Sequence, residues 1–291
     1  MSEQNRVQKF LWLLIESLIL DFRTVTRCKA ILKRGSFELI IRKYLIIMKH
    51  LFVPFTEGSS MMCDGDRVYY DSRYGIAGYQ RILTTHNYLL NLFMIRDIDT
   101  VVDVGANVGY FSLMCKKLYT NCTIHAFEPV PDMFRLLKLN VGSSSKVHLY
   151  QQACGEESGT EKMLINENNK AESMVSDAGN LTVEVVTLDE VLDKLCSTSP
   201  TGLIDLLKVD VETFEQSVLR GANNTLSKTR FLFLEATCGD NSRYTFTSLM
   251  SNLVSETYEF QFIGFRNFAR KSDGPVEIME MLFVNRNLKN S

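Results

Sequence analysis

The sequence contains few of the residues that mark disulfide-rich, zinc-binding or disordered proteins. Its 291 residues include five prolines and seven cysteines, with no Cys-x-x-Cys pair, and its four histidines form no recurrent metal-binding spacing. An apolar fraction of 45% with so few prolines excludes a disordered or collagen-like chain. Because dispersed, odd-numbered cysteines are typical of a reducing compartment, the composition predicts a cytoplasmic globular protein.

Long apolar segments are also missing. The longest apolar run near the N-terminus, residues 10–20, contains Glu16 and falls short of the roughly 20 residues that a membrane-spanning helix needs. No small-residue cleavage site follows this run, which disfavours a secretory signal peptide. A short uncleaved anchor is the alternative interpretation of this segment.

Positive charge is concentrated at the N-terminus. Residues 1–50 contain ten Lys and Arg against four Asp and Glu, while the whole chain has a net charge of −2, so the rest is acidic and no nucleic-acid partner is expected. Residues 37–52 predict an amphipathic helix that ends before Pro54. Its polar residues share an arc of roughly 140° on a helical wheel, and they are Glu38, Arg42, Lys43, Lys49 and His50. This helix either packs on the protein body or on a second subunit, or it lies on an anionic membrane as a peripheral contact.

Two regions follow from the apolar pattern. We expect residues 1–79 to form an N-terminal helical extension with a turn-rich lead-in of short strands from Met61, and residues 80–291 to form one domain. Apolar β-rich runs predict strands at 100–104, 123–127, 146–151, 203–209 and 231–236. Helical periods between them predict helices at 109–119, 133–140, 190–195 and 214–221. The alternation predicts a doubly wound α/β fold, to which residues 259–265 and 277–285 add an antiparallel hairpin.

A glycine-bearing turn joins the first of these strands to its helix, in the string VVDVGANVGYFSLM. Gly105 and Gly109 are expected to let the backbone approach a cofactor at the start of the helix. The dinucleotide fingerprint G-x-G-x-x-G is absent, which disfavours NAD. Glu128 ends the neighbouring strand, where a carboxylate can accept hydrogen bonds from both hydroxyls of a ribose.

Six ordered strings resemble the FkbM family of S-adenosylmethionine-dependent methyltransferases, and the resemblance extends over roughly residues 80–285. The strings are VVDVGANVGYFSL, HAFEPVPDMFRLLKLNV, QQACGEESGT, VVTLDEVL, LLKVDVETFEQSVLRGA and FLFLEAT. The resemblance implies a Rossmann-like class I methyltransferase with a mostly parallel seven-stranded sheet and an antiparallel C-terminal hairpin. It also implies methyl transfer from S-adenosyl-L-methionine to an oxygen, commonly a hydroxyl of a sugar or glycoconjugate.

The resemblance also assigns cofactor-binding residues by position. Those around the amino-acid end and the sulfonium would be Asp103, Gly105, Ala106, Asn107 and Gly109. Glu128 would bind the ribose, Phe127 or Pro129 would flank the adenine, and Gln152 with Ala153 would lie at the adenine edge. Lys208 and Asp210 would line the tip of the fourth strand.

Deprotonation of an alcohol acceptor requires a base or a metal ion, because a hydroxyl is a weak nucleophile at neutral pH. Asp210, Glu212 and Glu235 follow or end adjacent strands, at the edge where open α/β sheets bind ligands. We expect Asp210 to be the principal base or a ligand of a divalent cation, with Glu212 and Glu235 orienting the acceptor. Alternatively, the acids are structural, with Glu212 paired with Lys208 or Arg220 and Glu235 capping a helix. His86 is a separate candidate to reach the site, although a lone histidine is more often structural.

Thr213 departs from the family pattern, which has glycine after the string DVE. A β-branched residue tolerates poorly the backbone conformations that glycine adopts, so the loop or the acceptor pocket is expected to differ here. Two other functions therefore stay open. One is a non-catalytic scaffold that binds S-adenosylmethionine, and the other is a methyltransferase of RNA or protein, although the acidic body disfavours RNA.

Overall fold

The computed structural model of the chain describes residues 60–63, 66–70, 95, 97–165, 173–196, 201–238, 243–270 and 276–288. Two short strands, β1 (Ser60–Cys63) and β2 (Asp66–Tyr69), pair as an antiparallel hairpin, in agreement with the predicted lead-in. The basic helix predicted at 37–52, His86 and the boundary at residue 79 lie outside the described residues and stay predictions. No helix within the described ranges is both long and apolar enough to cross a membrane.

The remaining elements alternate as an α/β domain. The strands are β3 (Thr100–Val104), β4 (Thr123–Phe127), β5 (Val147–Tyr150), β6 (Ala153–Cys154), β7 (Gly159–Leu164), β8 (Met174–Val175), β9 (Leu181–Val186), β10 (Ile204–Val209), β11 (Thr229–Thr237), β12 (Phe260–Arg270) and β13 (Val276–Asn285). The helices are α1 (Tyr110–Leu118), α2 (Pro131–Val141), α3 (Leu188–Cys196), α4 (Glu215–Arg220), α5 (Asn223–Ser227) and α6 (Phe246–Ser251), followed by a 3-10 turn (Arg286–Leu288).

Seven strands form the main sheet in the order β12, β13, β11, β10, β3, β4, β5. The five strands from β11 to β5 run parallel, while β13 is antiparallel to β11 and β12 to β13. Strands β3 and β10 are buried along their whole length, because layers of helices cover both faces of a parallel sheet. This topology confirms the predicted mostly parallel seven-stranded sheet with its C-terminal hairpin.

A second sheet of four strands, in the order β6, β9, β7, β8, was not among the predicted elements. Its strands are short or largely exposed, and only one of the six residues of β7 is buried. Burial alternates along β9: Val183 and Val185 are buried, whereas Thr182 and Glu184 face solvent. This alternation is expected for a half-buried strand. Such short amphipathic strands carry a weak sequence signal because few apolar residues define their period.

Candidate active site

The turn between β3 and α1 is left-handed at three positions. The φ angles are 75° at Gly105, 52° at Asn107 and 87° at Gly109. A Cβ added at Gly105 would lie 1.8 Å from the carbonyl oxygen of Asp210, and one at Gly109 would lie 2.6 Å from Cδ1 of Leu137. The glycines therefore let the turn pack against the end of β10 and against α2. From the sequence, we expected these glycines to let the backbone approach a cofactor. The atoms that approach them in the structure belong to the protein itself.

The amides of this turn are used within the protein. Each of the five amides of residues 105–109 has an acceptor. Gly105 N and Ala106 N both donate to Phe127 O, at 3.1 and 2.9 Å, and Gly109 N donates to Ala106 O at 2.8 Å. Asn107 N donates to Glu128 Oε2 at 2.8 Å, and Val108 N donates to Asn107 Oδ1 at 2.7 Å. A phosphate-binding turn instead directs its amides at the anion. The turn is thus unsuited to the pyrophosphate of a dinucleotide, which agrees with the missing third glycine.

Glu128 lies against the same turn. Its Oε2 accepts from Asn107 N and its Oε1 accepts from Val130 N, both at 2.8 Å. Burial raises the pKa of Glu128 to about 7, against the lowering effect of these two backbone bonds. A carboxylate has about four acceptor positions, so each oxygen keeps capacity for a further donor.

Lys208 is the central cation of the site. Its Nζ lies 3.2 Å from Asp103 Oδ1 and 3.3 Å from Asp210 Oδ2, and it donates to Gly105 O at 3.0 Å. Burial alone would lower the pKa of Lys208, but the two carboxylates raise it above its usual value, so the amine stays protonated. The register of β3 and β10 causes this meeting, since Lys208 stands directly opposite Asp103.

Asp103, one of the two carboxylates that contact this cation, is fully buried. Its second oxygen accepts a hydrogen bond of 2.6 Å from Ser112 Oγ in α1. The resemblance assigned Asp103 to the surroundings of the sulfonium. In the structure its carboxylate contacts Lys208 and Ser112, so any influence on a cofactor passes through these neighbours.

Three carboxylates meet at one edge of the main sheet, as the sequence predicted: Asp210 and Glu212 follow β10, and Glu235 lies near the end of β11. One oxygen each of Asp210, Glu212 and Glu235 lies within 4.8 Å of the others. The alternative interpretation paired Glu212 with Lys208 or Arg220. In the structure Lys208 contacts Asp210, and Arg220 contacts Glu156 at 3.3 Å. Glu235 lies inside β11, opposite Glu280 of β13, and not at the start of a helix.

The residues assigned to the adenine differ in exposure. Phe127 is fully buried and stacks on Tyr150, with ring centroids 4.5 Å apart, so it belongs to the core. Pro129 and Gln152 are partly exposed, and Ala153 is buried at the start of β6. Of the two candidates for flanking the adenine, Pro129 is the one with accessible surface.

Two polar groups that the sequence analysis missed hold this region together. Asn140 of α2 donates from Nδ2 to Val108 O at 2.7 Å and to Tyr69 O at 3.1 Å, and its Oδ1 accepts from Tyr69 N at 2.7 Å. It thereby ties the turn to the β1–β2 hairpin. The signal that could have identified Asn140 is a polar residue among the apolar residues on the buried face of α2.

Glu215, at the start of α4, is the second missed group. It is almost fully buried, and it accepts hydrogen bonds from Thr213 N at 3.1 Å and from the Tyr244 hydroxyl. Burial raises the pKa of Glu215 to about 7, while the bond from Tyr244 lowers it. Thr213, at the position where the family pattern has glycine, has a φ of 79° and so adopts the left-handed conformation that favours glycine.

Comparison with known proteins matches a family model described as the methyltransferase FkbM domain to residues 103–262. This match covers more than half of the chain and includes the end of β3, the turn, Glu128 and all three clustered carboxylates.

Three curated relatives align with this region. The 31-O-demethyl-FK506 methyltransferase FkbM of Streptomyces tacrolimicus is 28% identical over 50% of this chain and 68% of its own length. Methyltransferase sdnD of Sordaria araneosa is 31% identical over 50% of this chain and 68% of its own length. The hexuronic acid methyltransferase AglP of Haloferax volcanii is 30% identical over 48% of this chain and 57% of its own length.

Proposed function

Because the chain belongs to the FkbM methyltransferase family, we propose that it transfers a methyl group from S-adenosylmethionine to a hydroxyl of a sugar, glycan or glycolipid. The observation that carries this proposal is the meeting of the Asp210, Glu212 and Glu235 carboxylates beside the turn after β3. An alcohol needs such groups to lose its proton, whereas the sulfonium is already a good leaving group. The name of one relative, a hexuronic acid methyltransferase, supports a sugar as the acceptor.

The residues around the turn fit S-adenosylmethionine, which supplies a methyl group on a positively charged sulfur when it is bound. Glu128 would accept from the ribose hydroxyls with the lone pairs left by Asn107 N and Val130 N. Pro129 would flank the adenine with its accessible surface, and Gln152, which is also partly exposed, would lie at the adenine edge. The five amides of residues 105–109 are used within the protein, so this turn has none to offer a pyrophosphate, a group that S-adenosylmethionine lacks.

The acid cluster would prepare the acceptor. Asp210 would take the proton of the acceptor hydroxyl, which makes the oxygen nucleophilic enough to accept the methyl group. Glu212 and Glu235 would accept hydrogen bonds from neighbouring hydroxyls and orient the sugar. Lys208 holds the Asp210 carboxylate at 3.3 Å, so the base and the turn share one support.

The same three carboxylates form an alternative arrangement in which they bind a divalent cation, since oxygen ligands of this kind suit Mg²⁺ or Mn²⁺. We expect EDTA to abolish turnover of the full chain and added Mg²⁺ or Mn²⁺ to restore it if the acceptor is activated in this way. Unchanged turnover after EDTA contradicts the cation and leaves Asp210 as a base without a metal.

Affinity for S-adenosylmethionine is expected to fall as Glu128 becomes protonated. The carboxyl is largely neutral below a pH of about 7 and ionised above it. Only the ionised form offers acceptors to both ribose hydroxyls, so the dissociation constant should rise by about tenfold from pH 8 to pH 6. Calorimetry of the full chain at several pH values measures this effect.

Glu128→Gln is the matching variant. It should weaken binding by about 10- to 100-fold at pH 8, because an amide has one acceptor oxygen for the two backbone donors and the ribose. The ratio of the variant and wild-type dissociation constants should shrink as the pH is lowered. Glu156→Gln, which removes an exposed partner of Arg220, serves as the control. A ratio that stays constant with pH would exclude Glu128 as the ribose acceptor.

Activity on a panel of acceptors tests the function as a whole. The full chain is incubated with methyl-labelled S-adenosylmethionine and with nucleotide sugars, oligosaccharides or glycolipids, and the label is expected in a sugar methyl ether. Label in RNA or in protein would replace the proposed acceptor class. Cofactor binding without transfer to any acceptor would indicate a scaffold, and no cofactor binding would contradict the proposal entirely.

A further inference from the structure

The loop after β10 has an unusual backbone conformation. Glu212 and Thr213 follow one another with φ angles of 49° and 79°, in the left-handed region. A β-branched residue with a positive φ is a strained outlier, because its side chain crowds the neighbouring carbonyl. Such a conformation persists only where surrounding contacts hold it. Thr213 is also buried, so solvent does not stabilise this backbone.

A chain of hydrogen bonds through Glu215 and Tyr244 holds this loop. The carboxylate of Glu215 accepts from Thr213 N at 3.1 Å with one oxygen and from the Tyr244 hydroxyl with the other. The same Tyr244 oxygen accepts from Thr237 N at 3.2 Å, at the end of β11. Glu215 and Tyr244 therefore connect the loop that carries Asp210 and Glu212 to the strand that carries Glu235.

We propose that Glu215 and Tyr244 are positioning residues that hold the strained turn at Glu212 and Thr213, and so bring the Glu212 carboxylate to those of Asp210 and Glu235. This inference rests on the proposed function, in which those three acids act on the acceptor. The Glu215 carboxylate accepts a hydrogen bond from the Thr213 amide, within the loop itself. Removing this carboxylate would therefore free Thr213 to leave the left-handed region. The Glu212 side chain would then turn away from its partners.

The position of Glu215 predicts which kinetic constants change. Its two contacts lead to the loop after β10 and to the end of β11, and not to Glu128 or to the turn after β3. Cofactor affinity should therefore be preserved while turnover falls. Because a misplacement of about 1 Å at a reacting group can cost about 100-fold in rate, a tenfold to 100-fold loss of kcat is expected for Glu215→Ala.

Thr213→Gly separates this role from a general loss of stability. Glycine adopts a positive φ without strain, so the loop needs its clamp less in this background. We expect Thr213→Gly to restore most of the kcat that Glu215→Ala loses, while changing the kcat of the wild type little. Tyr244→Phe removes only a hydroxyl, and it should lower kcat in the same way if Glu215→Ala fails to fold.

The experiment measures kcat, KM for the acceptor and the dissociation constant of S-adenosylmethionine for the full-length variants, together with hydrogen exchange of the Thr213 amide. Lower kcat with unchanged cofactor affinity, faster exchange at Thr213 and rescue by Thr213→Gly support the clamp. Wild-type kcat in both Glu215→Ala and Tyr244→Phe, or no rescue by Thr213→Gly, overturns it. If the wild type itself transfers no methyl group, the proposed function fails, while the exchange measurement still tests the clamp.

Discussion

Replacing Asp210 with asparagine is expected to lower kcat by about 10²- to 10⁴-fold, because an amide cannot take the proton of the acceptor hydroxyl. The substitution keeps the size of the side chain, and Lys208 keeps its contacts with Asp103 and with Gly105 O. Affinity for S-adenosylmethionine should therefore remain unchanged. Single-turnover measurements of methyl transfer and calorimetry with the cofactor distinguish the two quantities.

Glu184→Gln provides a control for the Asp210 variant, since it removes an exposed carboxylate from β9, far along the chain from the cluster. Its kcat should equal that of the wild type. Undiminished kcat in Asp210→Asn would reassign the base to Glu212 or Glu235, which the corresponding glutamine variants would then identify. Loss of cofactor affinity together with kcat would instead assign Asp210 to cofactor binding.

Replacing Lys208 with methionine is expected to destabilise the protein by about 3–5 kcal/mol, which is the usual cost of leaving a buried charge without its partner. Asp103 is fully buried, and the Nζ of Lys208 lies 3.2 Å from its Oδ1. Ser112 would remain as a hydrogen-bond donor to Asp103 but supplies no charge. Urea unfolding of the full chain measures the change in free energy.

A double substitution tests the cause of that loss. Asp103→Asn removes the buried negative charge, so Asp103→Asn combined with Lys208→Met should be more stable than Lys208→Met alone. Strictly additive losses would show that the ion pair between these residues does not account for the effect. Arg220→Met breaks the exposed pair with Glu156 and should cost about 0–1 kcal/mol, which supplies the reference for a surface ion pair.

The predicted strands at 100–104 and 123–127 agree with β3 and β4 residue for residue, and the other strands of the main sheet differ mainly at their ends. Buried parallel strands are continuous apolar runs, which the sequence displays without reference to any partner. Helices α5 and α6 were missed because five and six residues are too few to establish a helical period.

The candidate site was predictable to a similar degree. The carboxyl ends of parallel strands share one edge of the sheet, and this rule predicted that three acids would lie together: Asp210, Glu212 and Glu235. Glu215 was not, because its partner Tyr244 lies 29 positions later and no sequence pattern relates the two. The reason for Gly105 was likewise hidden, since the atom that excludes a side chain there is the carbonyl oxygen of Asp210.

The sequence by itself determined the class of fold, the family and the acids near the strand ends, because these depend on local apolar periods and on short motifs. Tertiary structure alone decided that Lys208 lies between Asp103 and Asp210, and that it reaches Gly105, 103 positions away. Strand register and the close packing of the turn set these contacts. Such contacts depend on ångström-scale distances between segments that local sequence does not specify.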